Sequence, residues 1–124
     1  MPFATLNGNR AHYETYGQGD PVLLVSGLGG PAVGWLLQVK DLSARYQVIT
    51  LDNRGAGETE RSNLPSYPTA LLADDAAALL DHLGVTRAHV VGASMGGTIA
   101  MELAIRRPKR VRSLSICCSW AQGD

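Results

Sequence analysis

Ala88-His89-Val90-Val91-Gly92-Ala93-Ser94-Met95-Gly96-Gly97 decides how the rest of the chain is read. A short apolar run enters a G-x-S-x-G turn (Gly92, Ser94, Gly96), and a helical pattern begins directly behind it. Strand, turn and helix in that order are the context of a nucleophile elbow. The turn is too tight for side chains at its flanking positions, so glycines stand there and the serine hydroxyl projects clear of the sheet. The pentapeptide alone carries little weight, since a glycine-rich strand-to-helix turn can hold a serine by chance. Its flanks give it meaning.

Behind the elbow the helical pattern runs from Gly96 to about Arg107, where Pro108 stops it. Ahead of it, Leu72, Ala76, Leu79, Leu80 and Leu83 form the apolar stripe of a helix closed by Gly84. Val22–Val25 and Val48–Leu51 are continuous apolar runs, as expected of strands covered on both faces. Trp35, Leu36, Val39 and Leu42 recur at helical spacing between them, up to about Arg45. At the start, Asn7-Gly8-Asn9-Arg10 separates Phe3–Leu6 from Ala11–Tyr16, which reads as a β-hairpin. Val111–Cys118 is the last expected strand. Strands alternating with helices behind a hairpin predict an α/β fold: a doubly wound, mostly parallel sheet with a leading antiparallel hairpin. With no repeat and no linker, residues 1–124 read as a single domain.

The composition, 45% hydrophobic and 18% charged, is that of a globular chain and argues against disorder. A formal net charge of zero gives no overall field toward nucleic acid or an anionic membrane, so neither is expected as a partner. The basic cluster Arg106, Arg107, Lys109, Arg110 and Arg112 lacks interleaved aromatics and reads as a solvated helix end. Cys117 and Cys118 are strand neighbours pointing to opposite faces, so reduced thiols are expected. The N-terminus lacks the regions of a signal peptide, and no apolar run approaches the ~20 residues of a membrane span, which predicts a soluble, cytoplasmic protein. No cysteine, histidine or carboxylate grouping has metal-ligand spacing, so no metal and no cofactor are expected.

Four segments in order resemble the N-terminal half of an α/β-hydrolase: Pro21–Gly30, Asp52–Gly57, His89–Gly97 and Arg110–Cys118. Within that superfamily the chain is similar to the small esterase, enol-lactonase and cofactor-free haloperoxidase group. The resemblance implies that Ser94 is the nucleophile toward the carbonyl of a small ester or lactone. It makes the backbone N–H groups of Met95 and Leu28 the oxyanion-hole donors, with Gly27 and Gly29 letting the backbone approach the substrate. Each such donor contributes roughly 10²–10³ in rate. One departure is Ser26, where many members carry histidine before the glycine matching Gly27.

The rest of that machinery is missing from the sequence. A serine hydroxyl needs a base, and the base an orienting acid, in the order Ser, Asp or Glu, His. After Ser94 there is no histidine, and the only carboxylates are Glu102 and Asp124. His12 reads as a sheet-face residue of the hairpin, His82 as a helix-end residue, and His89 as the start of the elbow strand, ~16 Å of extended chain from Ser94. Asp52 reads as a structural anchor of the Asn53–Gly57 loop. The expectation is therefore a truncated α/β-hydrolase core, lacking cap, acid and histidine segments. Losing a triad histidine takes about 10⁶ from turnover, so residues 1–124 alone should be almost inactive. The Val111–Cys118 strand would then be an exposed apolar edge, inviting self-association or a second chain.

Two non-catalytic readings stand beside this one. The edge strand could make the protein an interaction module with Ser94 as a vestige. Gly27-Leu28-Gly29-Gly30-Pro31-Ala32 also fits the G-x-G-x-x-A dinucleotide pattern, with Asp52 near a ribose-binding position. The leading hairpin and the elbow argue against the dinucleotide reading.

Overall fold

A computed structural model describes residues 2–25, 35–53, 59, 68–93 and 95–117, with Leu36, Leu37 and Cys117 through their backbone only. Strands β1 (Phe3–Leu6) and β2 (Asn9–Tyr16) form the expected hairpin. Its two-residue turn has both Asn7 and Gly8 at positive φ, the conformation whose twist matches that of paired strands. β2 starts at Asn9 rather than Ala11 because Leu6 pairs with Asn9 directly across that tight turn.

The chain then alternates. β3 (Asp20–Val25) leads through α1 (Leu36–Leu42) to β4 (Tyr46–Leu51), and α2 (Thr69–His82) leads to β5 (Ala88–Ala93). α3 (Met95–Arg106) follows, then a 3₁₀ turn at Pro108–Arg110 and β6 (Val111–Cys117). α1 stops three residues short of the Arg45 limit that its apolar spacing suggested. The sheet order is β1-β2-β4-β3-β5-β6. β1, β2 and β4 pair antiparallel, while β4, β3, β5 and β6 run parallel. The fold is thus α/β with a mostly parallel sheet behind an antiparallel hairpin.

Period-two alternation explains why both faces are covered. Leu23 and Val25 of β3, Ile49 and Leu51 of β4 and Val90 of β5 join Leu72, Leu79 and Leu80 of α2 and Ile99 and Leu103 of α3 in the larger core. The intervening Val22, Leu24 and Val48 turn the other way and pack with Val39, Trp35 and Leu42 around α1. Each fully buried leucine contributes about 1.5–3 kcal/mol relative to exposure.

The strand order carries a functional consequence. From β3 the chain moves to β4 on one side, then crosses back over β3 to β5 on the other. Such a reversal opens a crevice beyond the carboxyl ends of the strands, between β3 and β5.

Candidate active site

The crevice between β3 and β5 is where the elbow lies. Val25, the last residue of β3, is paired in register with Gly92 of β5, so the segments that follow the two strands leave the sheet side by side. Gly92 meets the backbone of the helix behind it. A Cβ built there would fall 2.7 Å from both the Gly96 carbonyl carbon and the Gly97 Cα, and closer still to the Gly96 carbonyl oxygen. Carbon atoms in favourable contact stand about 3.5–4.0 Å apart. Only glycine fits, because β5 turns into α3 within two residues.

Met95 is the first residue of α3, and Gly96 is buried in its first turn. The opening N–H groups of a helix have no intrahelical acceptor, and they sit at the positive end of its dipole. Gly92, Met95 and Gly96 are therefore brought together at one corner of the sheet. Ser94, Leu28, Gly27 and Gly29 lie outside the described residues, as do the rest of the Gly27–Ala32 segment, Arg54–Gly57, Cys118 and Asp124.

At the same carboxyl edge stands a constellation that the sequence did not announce. His12 of β2 is 8% exposed, and its Nδ1 lies 2.8 Å from Asp52 Oδ2. Its Nε2 lies 3.0 Å from Glu14 Oε2. The His12 amide donates to Thr59 Oγ1 at 2.9 Å, and the Thr59 hydroxyl donates to the Asp52 carbonyl. Burial acts against the charged imidazole, but the hydrogen bonds to Asp52 and Glu14 and their charges outweigh it, and the His12 pKa is raised above 6.5. Burial, with the charges of Glu14 and Asp52, also raises the Tyr16 pKa. Two strands, β4 and β3, separate β2 from β5. At about 4.8 Å per strand, His12 is some 14 Å from the elbow strand and is no base for it. Only the β2–β4 pairing creates the cluster, and nothing in the residues flanking His12 or Asp52 hints at it.

The other histidines lie elsewhere. His89 Nδ1 stands 2.6 Å from Ser113 Oγ near the amino end of β5, opposite the elbow. His82 closes α2, with Nε2 3.4 Å from the Tyr13 hydroxyl. Four of the five basic residues of the cluster face an acid: Arg106 and Arg107 approach Asp74, Arg110 pairs with Asp81, and Arg112 pairs with Asp20. Two open cavities of about 350 and 370 Å³ surround Gly84–Thr86 at the amino-terminal edge, away from the elbow. Among the described residues no group of three or more His, Cys, Asp or Glu side chains is arranged to hold a metal ion, and no helix is long and apolar enough to cross a membrane.

Residues 20–123 match the family described as "alpha/beta hydrolase fold". The chain belongs to the α/β-hydrolase family. Solved members superpose closely. The enol-lactonase from Burkholderia xenovorans LB400 gives a TM-score of 0.93 at 33% identity, over 98% of this chain and 48% of that one. Est816, described as an N-acyl homoserine lactone degrading enzyme, gives 0.90 at 34% identity, over 95% and 45%. A protein of Azorhizobium caulinodans named "Putative carbamate hydrolase RutD" is 45% identical over 124 residues, which are all of this chain and 46% of the relative. The chain spans about half the length of the curated relatives it matches. The two solved α/β-hydrolase relatives cover nearly all of the architecture described above.

Proposed function

We propose that residues 1–124 carry the nucleophile and oxyanion-hole portion of a serine hydrolase acting on a small acyl compound. Ester, lactone and carbamate substrates share the carbonyl carbon that such a site attacks; the solved and curated relatives include proteins named for lactone and carbamate hydrolysis. The observation that carries the reading is the corner at Gly92. Its backbone contact with Gly96 and Gly97, in register with Val25, supports placing Ser94 at the head of α3 beside the segment holding Leu28.

In this reading the Ser94 oxygen bonds to the carbonyl carbon while its proton passes to a histidine. The Met95 and Leu28 N–H groups bind the oxygen that becomes negative. The carbonyl is restored as the leaving alcohol or amine takes that proton, and water then cleaves the acyl-serine by the same steps. The histidine and its acid come from outside residues 1–124, which hold no histidine after Ser94. β6 is the natural place for further chain to join. Among the described residues it pairs only with β5, and Leu114 and Ile116 on it are 38% and 39% exposed.

A chimera tests the proposal. Residues 1–124 replace the matching portion of the Azorhizobium caulinodans relative, and hydrolysis of p-nitrophenyl acetate and of a carbamate ester is followed. The chimera should turn over substrate, and Ser94→Ala should lower turnover by about 10⁶. A folded chimera whose activity survives that substitution overturns the assignment.

A further inference from the structure

The cluster around His12 has a property that follows from counting protons. A neutral imidazole carries one N–H and one lone pair, and an ionised carboxylate only accepts. Here both ring nitrogens face carboxylate oxygens, Asp52 Oδ2 at 2.8 Å and Glu14 Oε2 at 3.0 Å. With the ring neutral and both acids ionised, one of these contacts would set lone pair against lone pair. The arrangement is satisfied only when the group holds one proton more, and an imidazolium between two carboxylates is the form in which the ring donates to both.

The same residues tie together three separated pieces of chain. The Asp52 amide donates to the His12 carbonyl at 3.1 Å, and the His12 amide donates to Thr59. Thr59 closes the ring by donating to the Asp52 carbonyl. Asp52, Asn53 and Thr59 are all buried, so the end of β4 is held in place by this group. We propose that His12, Glu14, Asp52 and Thr59 form a proton-operated clamp, which fixes the carboxyl end of β4 to β2 while the extra proton is present.

The charges around it are consistent with holding that proton. On its own strand, Glu14 supplies one negative charge and Tyr16 a neutral hydroxyl; β4 supplies Asp52. Across the pair, β1 sets the Phe3 ring against His12, 5.4 Å between centroids, and the guanidinium of Arg10, also on β2, lies over that ring at 3.8 Å. Among the described residues, the two carboxylates in hydrogen-bond contact are the groups that raise the His12 pKa. Because the folded state holds its proton above the ordinary histidine value of 6.5, the clamp is at full strength below that pH. It weakens as pH rises through the raised value.

Nuclear magnetic resonance of the 124-residue chain reads this directly. The imidazole nitrogen shifts of His12 should report both nitrogens protonated below a midpoint that lies above 6.5. Exchange protection of the Asp52 and His12 amides should fall with rising pH, about tenfold for each unit by which that midpoint exceeds 6.5. Glu14→Gln is the discriminating variant, because the Glu14 side chain is 30% exposed and an amide N–H can donate to a neutral ring. It should lower the midpoint and shrink the fall in Asp52 protection across the same range. A wild-type midpoint at or below 6.5 overturns the clamp. Wild-type protection that stays level with pH does so too, as does an unchanged fall in Glu14→Gln.

Discussion

Gly92→Ala probes the corner on which the functional reading depends. The added Cβ would stand 2.7 Å from the Gly96 carbonyl carbon and from the Gly97 Cα. Favourable carbon contacts begin at about 3.5 Å, so the first turn of α3 must retreat from β5 by roughly 1 Å. The three nearest atoms are all backbone, so side-chain rotation cannot relieve these contacts. Overpacking of this kind costs about 1–3 kcal/mol. For a chain of this length each kcal/mol lowers Tm by about 4 °C, which gives a fall of ~4–12 °C in a thermal melt followed by circular dichroism. In the active chimera a displacement of ~1 Å at the nucleophile should also remove about 10² from kcat. A variant that melts with the parent and keeps its turnover would refute the close contact, and with it the tight elbow.

Two further outcomes follow from packing. Leu79 is fully buried between α2 and the sheet, so Leu79→Ala should destabilise the fold by about 2–5 kcal/mol in urea titration; a loss under 1 kcal/mol would contradict that burial. The outer edge of β6 should make the isolated 124-residue chain associate, with a light-scattering mass that climbs with concentration. Ile116→Lys should suppress the climb by placing a charge on that edge, and a wild-type chain monomeric at every concentration would sink the idea.

The parts of the fold that depend on neighbours along the chain are legible in the sequence itself. The Asn7-Gly8 pair specifies a tight hairpin turn, and the two-sided apolar runs of β3 and β4 specify strands covered on both faces. Gly92 is legible as well, since a G-x-S-x-G turn demands close backbone approach wherever it joins a strand to a helix. Element ends are less so. β2 reaches Asn9 because the turn pairs it with Leu6, and α1 ends at Leu42 although apolar spacing carries the pattern further. The His12 cluster is hidden for a different reason. His12 and Asp52 are 40 residues apart, and they meet only because β2 pairs antiparallel with β4 in the register that sets Tyr13 against Leu51. Read alone, His12 is one polar residue on the alternating face of a hairpin, and Asp52 a carboxylate at a strand end.

Covalent labelling is the sharpest test of the proposal that Ser94 is a nucleophile awaiting a base. A fluorophosphonate reacts with an activated serine and leaves an adduct that mass spectrometry can place on one residue. In the chimera that supplies an acid and a histidine, the adduct should map to Ser94 and vanish in Ser94→Ala. Residues 1–124 alone should label far more slowly. An active chimera whose adduct falls on another residue, or which stays unlabelled while it turns over substrate, would contradict the account.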